Sequence, residues 1–333
     1  MDEGERAAAL KAGIDFAGAH RLLQDLRGLL DAVIVGQQEL VTQLVTAMFA
    51  GGHVLVEGLP GLGKTHLAKS LAAALGLQWA RVQCMPDLMP ADVTGAEILT
   101  TAAGGRSAFE FRPGPVFAQC VLVDEINRAT PRTQAALLEA MQERQVTHAG
   151  VTHRLPSPFT VLATQNPIEL EGTYPLPEAQ LDRVMFKLCV PYPSRESLRG
   201  LLDVSLDVEP ADRVQAIAGP HEVLLVTALC RTVLLGQRCK EAAVDLVLAT
   251  QPGAAAAHPI RYGASPRALQ ALVRAARVRA VMAGRAHVDV DDLQAVALPV
   301  LRHRVLLHLE SELDGIEVDH ALTAVIDAWR GRL

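Results

Sequence analysis

The stretch Gly58-Leu59-Pro60-Gly61-Leu62-Gly63-Lys64-Thr65 fits the pattern G-x-x-x-x-G-K-[ST], and its reading decides the fold. A backbone that must curl so that successive N–H groups converge on phosphate oxygens has no room for a Cβ at its closest approaches, hence the glycines. The flanks say more than the pattern. Residues 53–57 read as an apolar strand and residues 65–75 as a helix, with Gly76 placed to cap it. A helix opening at Lys64 adds its own N-terminal donors and dipole to the loop. In that setting Lys64 reaches the β- and γ-phosphates of a nucleotide, and the Thr65 hydroxyl ligates Mg²⁺. Gly58, Pro60, Gly61, Leu62, Gly63, Lys64, Thr65 and His66 form the expected cofactor cradle.

Outward from the loop, short β-like runs alternate with helical ones over residues 52–190: HVLVEG, LQWARVQC, CVLVDE, FTVLATQN and VMFKLCV are the strand candidates. Such alternation predicts a mainly parallel sheet with helices on both faces. Past Tyr192-Pro193-Ser194 the rhythm turns helical, over residues 221–239, 241–250, 265–283, 289–308 and 318–329. The expected organisation is therefore an α/β domain of residues 1–192 followed by a smaller all-α domain of residues 193–333. Ahead of the loop, residues 15–30 and 37–50 read as two helices around Val33-Gly36, and Ala254 to Ala257 as loop.

Half of the 333 residues are hydrophobic and a fifth are charged, enough for a sizeable core and too apolar for a disordered chain. The formal charge of 31 − 37 = −6 supplies no bulk attraction to nucleic acid or anionic membrane. The longest apolar stretch, residues 40–56, is broken by Thr42, Gln43, Thr46, Gly51, Gly52 and His53, so no membrane insertion is expected. The N-terminus is acidic and polar where a signal peptide would be basic and then apolar. Five cysteines lack any C-x-x-C spacing and read as small buried hydrophobes of a reducing cytoplasm.

Two further strand ends carry candidate chemistry. Cys120-Val121-Leu122-Val123 runs into Asp124-Glu125. Beside the phosphate-loop strand, Asp124 would reach the Mg²⁺ shell and Glu125 would polarise a water for in-line attack. Gln83, at the end of another strand, is placed to restrain Glu125 until a partner binds. Asn166 ends the third strand and suits contact with attacking water and γ-phosphate, though Asn-Pro is equally a turn signal. His148 and His153, on a short β-turn, read as solvated rather than as a metal pair. Ser265-Pro266-Arg267 reads as an N-cap, a proline and an arginine at a helix start, and a cation near the dipole's positive end makes sense where it meets a phosphate. Six arginines (261, 267, 274, 277, 279 and 285) and no acid lie between Arg261 and Val288. They form either a face toward nucleotide or an acidic neighbour, or a solvated one.

With these blocks in order, the sequence resembles the AAA+ ATPases and, within them, the MoxR family. Asp124-Glu125-Ile126-Asn127-Arg128-Ala129, Ala163-Thr164-Gln165-Asn166-Pro167-Ile168, the segment from Glu171 to Arg183 and Gly263-Ala264-Ser265-Pro266-Arg267-Ala268 carry the likeness, which extends from about Val35 to His308. The resemblance implies an AAA+ P-loop domain with an insert at about residues 85–117, a hairpin at residues 145–155 and a helical lid. It implies that Glu125, Lys64, Asn166, Arg183 and Arg267 serve catalysis, Arg183 as an arginine finger and Arg267 as the lid's sensor arginine. It further implies that Val35 and Gly36 contact adenine and that Arg267 contributes to nucleotide binding, with Thr65 and Asp124 holding Mg²⁺. ATP and Mg²⁺ are the implied cofactors. A homo-oligomer, a hexameric ring, and a protein client carrying a von Willebrand factor type A domain are the implied partners, with chaperone-like maturation such as metal-cofactor insertion as the outcome. A nucleic-acid or chelatase-type motor and a nucleotide-gated scaffold are the rival classes. One departure stands beside the finger, where Val184 occupies a position that is usually Phe.

Overall fold

The computed structural model describes residues 13–59, 61–101, 107–168, 172–203, 210–252 and 259–333; Pro60 and the Ala254 to Ala257 run lie outside the described residues. Asp15 opens helix α1 (Phe16–Val33) by accepting a hydrogen bond from the Gly18 N–H at 2.7 Å. This helix buries Ala19, Leu23, Leu26 and Leu30, a stripe at helical spacing. After α2 (Gln38–Phe49), Gly52 lies so close to Met185 that an added Cβ would meet its side chain at 2.5 Å. The chain then enters β1 (Val54–Glu57) and, past the phosphate loop, α3 (Lys64–Ala74) and β2 (Trp79–Gln83).

The insert is a short helix, α4 (Pro90–Thr94), followed by an antiparallel hairpin of β3 (Gly95–Thr101) and β4 (Ser107–Pro113). Next come β5 (Cys120–Asp124), α5 (Pro131–Glu143), the second hairpin β6 (Gln145–His148) and β7 (Val151–Arg154), then β8 (Thr160–Gln165), α6 (Glu178–Leu181) and β9 (Phe186–Cys189). The two hairpins touch. Phe111 of β4 stacks on His153 with ring centroids 4.0 Å apart and lies 5.7 Å from His148. The histidine pair is therefore half-buried against the insert rather than solvated, because its face of the hairpin turns toward β4.

Strands β1, β2, β5, β8 and β9 form one parallel sheet in the order β2-β5-β8-β1-β9. The interior strands are buried on both faces, which explains their unbroken Val, Leu and Ala runs. On edge strand β9 only alternate residues are covered, so Cys189 is exposed, contrary to the expectation for it; the other four cysteines are buried. Burial pushes the Cys120 and Cys230 thiols up to about 12.

The helical region comprises α7 (Arg195–Asp203), α8 (Pro220–Thr232), α9 (Gln237–Ala249), β10 (Ile260–Tyr262), α10 (Pro266–Met282), α11 (Val290–Leu301), β11 (Leu306–Leu307), α12 (Leu309–Leu313) and α13 (Val318–Arg330). The break expected near residue 240, between helices over 221–239 and 241–250, falls earlier, between Thr232 and Gln237. Leu234 leaves the helical path to bridge His287, and Gly236 caps the next helix. Strands β10 and β11 pair antiparallel within what was expected to be all helix. α10 is buried on more than a stripe, with Ala268, Ala271, Leu272, Ala275, Ala276, Val278 and Ala280 all covered, since its alanines let neighbouring helices approach closely. One hydrophobic core runs from α1 and α2 through the sheet into α10 and α11, so the change of rhythm near residue 192 does not separate two cores. A second core, on the opposite sheet face, packs under α5.

Candidate active site

The carboxyl ends of β1, β5 and β8 converge, as ligand sites do in open α/β sheets. After β1 the loop runs through Gly61 and Gly63 in the left-handed region, φ 81° and 79°, where any Cβ is strained. Lys64, at the start of α3, turns its Nζ back to the Gly58 carbonyl at 2.5 Å. One cavity is lined by Gly61, Gly63, Lys64, Thr65, His66, Arg81, Asp124, Glu125 and Asn166. The Leu62 carbonyl accepts a hydrogen bond from Gln37 Nε2 at 3.2 Å, which ties the segment after α1 to the loop. Val35 and Gly36 do not line this cavity. Gly36, at φ 76°, leaves a Cβ only 2.0 Å from Ser197 Oγ, and Val35 packs on Gly200, so both face α7.

Asp124 ends β5 with its Oδ1 accepting from the Thr164 hydroxyl at 2.6 Å and its Oδ2 from Arg81 Nη2 at 2.6 Å. Glu125 has left-handed backbone, φ 56° and ψ 50°, which costs a non-glycine residue about 1–2 kcal/mol. Its N–H donates to Thr164 Oγ1 at 2.9 Å, which fixes the turn. The carboxylate is held by Gln83 Nε2 and by Arg128 Nε, each at 3.2 Å from Oε2. Asn166 is buried, lines the cavity and accepts from the Ile168 N–H at 3.2 Å, so it serves the turn and faces the site at once. The Thr65 hydroxyl and the Asp124 carboxylate are hard oxygen donors, and both residues line the cavity. That set fits Mg²⁺, which takes one or two protein ligands and fills its octahedron from substrate and solvent.

The two remaining catalytic candidates lie at the other end of the sheet. Arg183 and Arg267 line a separate cavity with Gly52, Arg144, Asp182, Arg274 and Arg304, beside the amino ends of β1 and β9. Arg267 is not among the residues lining the phosphate-loop cavity. Its position follows from the cap: Ser265 accepts from the Arg267 N–H at 3.2 Å while donating to the Asp182 carboxylate at 3.0 Å, which pins the start of α10 to the Asp182-Arg183 turn. Asp182 also accepts from Arg304 Nε at 2.9 Å and stands 3.7 Å from Arg267 Nη1. Arg183 itself is exposed and takes part in no ion pair among the described residues.

Sequence reasoning missed Arg304. Its side chain is 3% exposed and donates further to the carbonyls of Asp182, Val184 and Met185 at 3.1, 2.6 and 3.1 Å. His303 Nε2 donates to the same Val184 carbonyl at 2.9 Å; burial, then Arg304, hold its pKa well below the usual histidine range. The signal available was the run Arg302-His303-Arg304 just past a helix end. Val184 is 2% exposed and fills a core position, so the departure from Phe leaves the backbone anchor intact. Arg144 and Arg274 were also missed. Burial lowers both pKa values, and Arg231 lowers them further by like-charge repulsion. Of the six lid arginines only Arg267 and Arg274 line this cavity. Arg285 instead forks onto Asp292 at 2.6 and 2.8 Å, and Arg261 stacks over Tyr262.

Residues 53–186 match the ATPase family associated with various cellular activities (AAA), and residues 253–324 match the AAA lid domain. The chain is 40% identical over 299 residues to Chaperone MoxR1 of Mycobacterium tuberculosis, covering 88% of this chain and 78% of that one. It is 35% identical to Protein MoxR of Paracoccus denitrificans, covering 86% and 89%. The chain belongs to the MoxR family of AAA+ ATPases. An uncharacterized Bacillus subtilis protein, YeaC, is 39% identical over 93% of this chain and 94% of its own. A solved structure of a candidate ATPase from Cytophaga hutchinsonii superposes with a TM-score of 0.86 at 37% identity, covering 94% and 95%. As a MoxR-family ATPase the chain is a nucleotide-binding protein, and its parallel sheet with a helical lid is the family's arrangement.

Proposed function

We propose that this MoxR-family ATPase works as a homo-oligomeric ring, hexameric, in which Mg²⁺·ATP is held by one subunit and its hydrolysis is completed by the next. The supporting observation is the division of catalytic groups. Lys64, Thr65, Asp124, Glu125 and Asn166 share one cavity, whereas Arg183 and Arg267 line another at the opposite end of the sheet. In this reading Glu125 takes the proton of the attacking water, Asn166 orients it, and Lys64 steadies the β- and γ-phosphates. Thr65 and Asp124 would hold Mg²⁺, which when bound would supply positive charge to the phosphate oxygens. Arg183 and Arg267 of a neighbour meet those oxygens from outside.

The work done is chaperone-like remodelling of a client protein, a reading supported by the name of the Mycobacterium tuberculosis relative. We place the client among proteins with a von Willebrand factor type A domain, with metal-cofactor insertion as one form of maturation, and the setting in the cytoplasm, in keeping with five free cysteines. Exposed Leu99 and Phe109 on the insert hairpin give such a client an apolar handhold. Glu125→Gln should keep ATP binding and lose turnover by about 10²–10⁴-fold; undiminished hydrolysis sinks the base assignment. Mixing Arg183→Ala with Lys64→Ala subunits should restore partial activity, and a dead mixture counts against a shared site. Capture of a von Willebrand type A protein by the ATP-loaded Glu125→Gln form, and not by its ADP form, tests the client.

A further inference from the structure

The carboxylate assigned to the metal already holds a cation of the protein's own. Arg81 lies on β2 two residues before Gln83, and a strand's period of two puts both side chains on one side. Its Nη2 donates to Asp124 Oδ2 at 2.6 Å and to Gln83 Oε1 at 2.7 Å. Gln83 passes the contact on, its Nε2 donating to Glu125 Oε2 at 3.2 Å. A guanidinium thus ties together the metal donor, the amide that restrains the base and, through it, the base itself.

A divalent cation and a guanidinium on one carboxylate repel each other, the more so away from bulk solvent. The side chain of Arg81 is 48% exposed and that of Asp124 only 13%. Of the two, the arginine is the partner with solvent to move into. We infer that Arg81 is the resident counter-cation of the metal site, neutralising Asp124 until Mg²⁺ arrives with ATP and being displaced by it. Displacement removes the donor that fixes the Gln83 amide and so loosens one of the two holds on Glu125, the Arg128 contact staying in place. Arg81 is in this sense a positioning residue, tethering the base while the metal is absent. The inference rests on the assignment of Asp124 to Mg²⁺ made above.

Calorimetric binding of a non-hydrolysable ATP analogue across a Mg²⁺ titration tests it without turnover. Wild-type binding should tighten with Mg²⁺, and Asp124→Asn should lose that tightening. If the wild type does not tighten, or Asp124→Asn retains the whole effect, the metal assignment and this inference fall together. With the metal site secured, Arg81→Gln should lower the Mg²⁺ concentration at half-maximal tightening by about two- to fivefold, the range of a half-exposed ion pair. Arg81→Lys, a point charge that cannot fork between two acceptors, should shift it by less in the same direction. An unchanged or raised Mg²⁺ midpoint in Arg81→Gln, with wild-type Asp124-dependent tightening intact, overturns the inference alone. Where Arg81→Gln melts early, Arg81→Lys carries the same comparison, and an unchanged midpoint there overturns it equally.

Discussion

The two ends of the parallel sheet hold opposite kinds of site. At the carboxyl ends, backbone N–H groups, Lys64 and Arg81 face the carboxylates of Asp124 and Glu125 and the amides of Gln83 and Asn166, a set in which the charges of the side chains balance. At the amino ends, five arginines share a cavity with a single acid, Asp182, which is already engaged by Arg304 and Ser265. One end pairs its cations with carboxylates; the other, among the described residues, sets five arginines against one acid and so carries a surplus of positive charge. The difference is what the proposed shared site would use: a neighbour's phosphates would supply the anion that the second end lacks.

The sharpest way to break this comparison is Arg183→Ala in every subunit. Turnover should fall by about 10³–10⁵-fold, the worth of an arginine supplied from outside, while ATP affinity of the isolated subunit stays unchanged. Weaker ATP binding by that isolated subunit would place the finger in its own site.

A second measurement probes the arginine end through pH. His53 is buried there between the Met141 carbonyl, which its Nε2 approaches at 2.9 Å, and the Val161 N–H, which donates to Nδ1 at 3.0 Å. Burial and, next, Arg144 lower its pKa to about 4. Its folded value lies below the unfolded 6.5, so the unfolded chain takes up the proton first as pH falls. The stability contributed is present above pH 6.5 and drains away toward pH 4, by about 3 kcal/mol in total. The difference in unfolding free energy between wild type and His53→Gln should follow that slope; a difference independent of pH would remove His53 from the account.

Asp182→Ala takes the next step down. Arg304 would keep its backbone acceptors and lose its only carboxylate, which should cost about 1–3 kcal/mol in chemical denaturation. Turnover of the ring should drop with ATP affinity preserved. Equal loss of both would mean that the two ends are not separate. The smallest effect is expected from Arg274→Gln, which relieves repulsion with Arg144 and Arg231. The isolated chain should melt slightly later, by under about 1 kcal/mol in stability, whereas subunit association should weaken; a destabilised monomer would contradict the surplus of charge.

Much of this was legible in the sequence because its signals are local. The glycine spacing before Lys64, the apolar run into Asp124-Glu125 and the Ser265-Pro266 cap each report a short stretch of backbone, and each stands where it was expected. What escaped was long-range. The break between α8 and α9 falls at Leu234 and Gly236 rather than near residue 240, because Leu234 pairs with His287, far along the chain. Arg267 fits a phosphate-binding role by type, but which end of the sheet it reaches depends on a bond between Ser265 and Asp182 that no periodicity encodes. Arg81 carries no local signal of its role, because its bond to Asp124 depends on β2 and β5 lying side by side in register.

The anchoring of the Asp182-to-Met185 turn by Arg304 and His303 has a mechanical consequence. The turn that carries Arg183 is bolted to the lid, and α1, α2 and the lid share one packed interior. A tilt of the lid would therefore carry Arg183 with it as a rigid crank. In the proposed ring, nucleotide state in one subunit would then be handed on as a change in angle, with little slack lost inside each part.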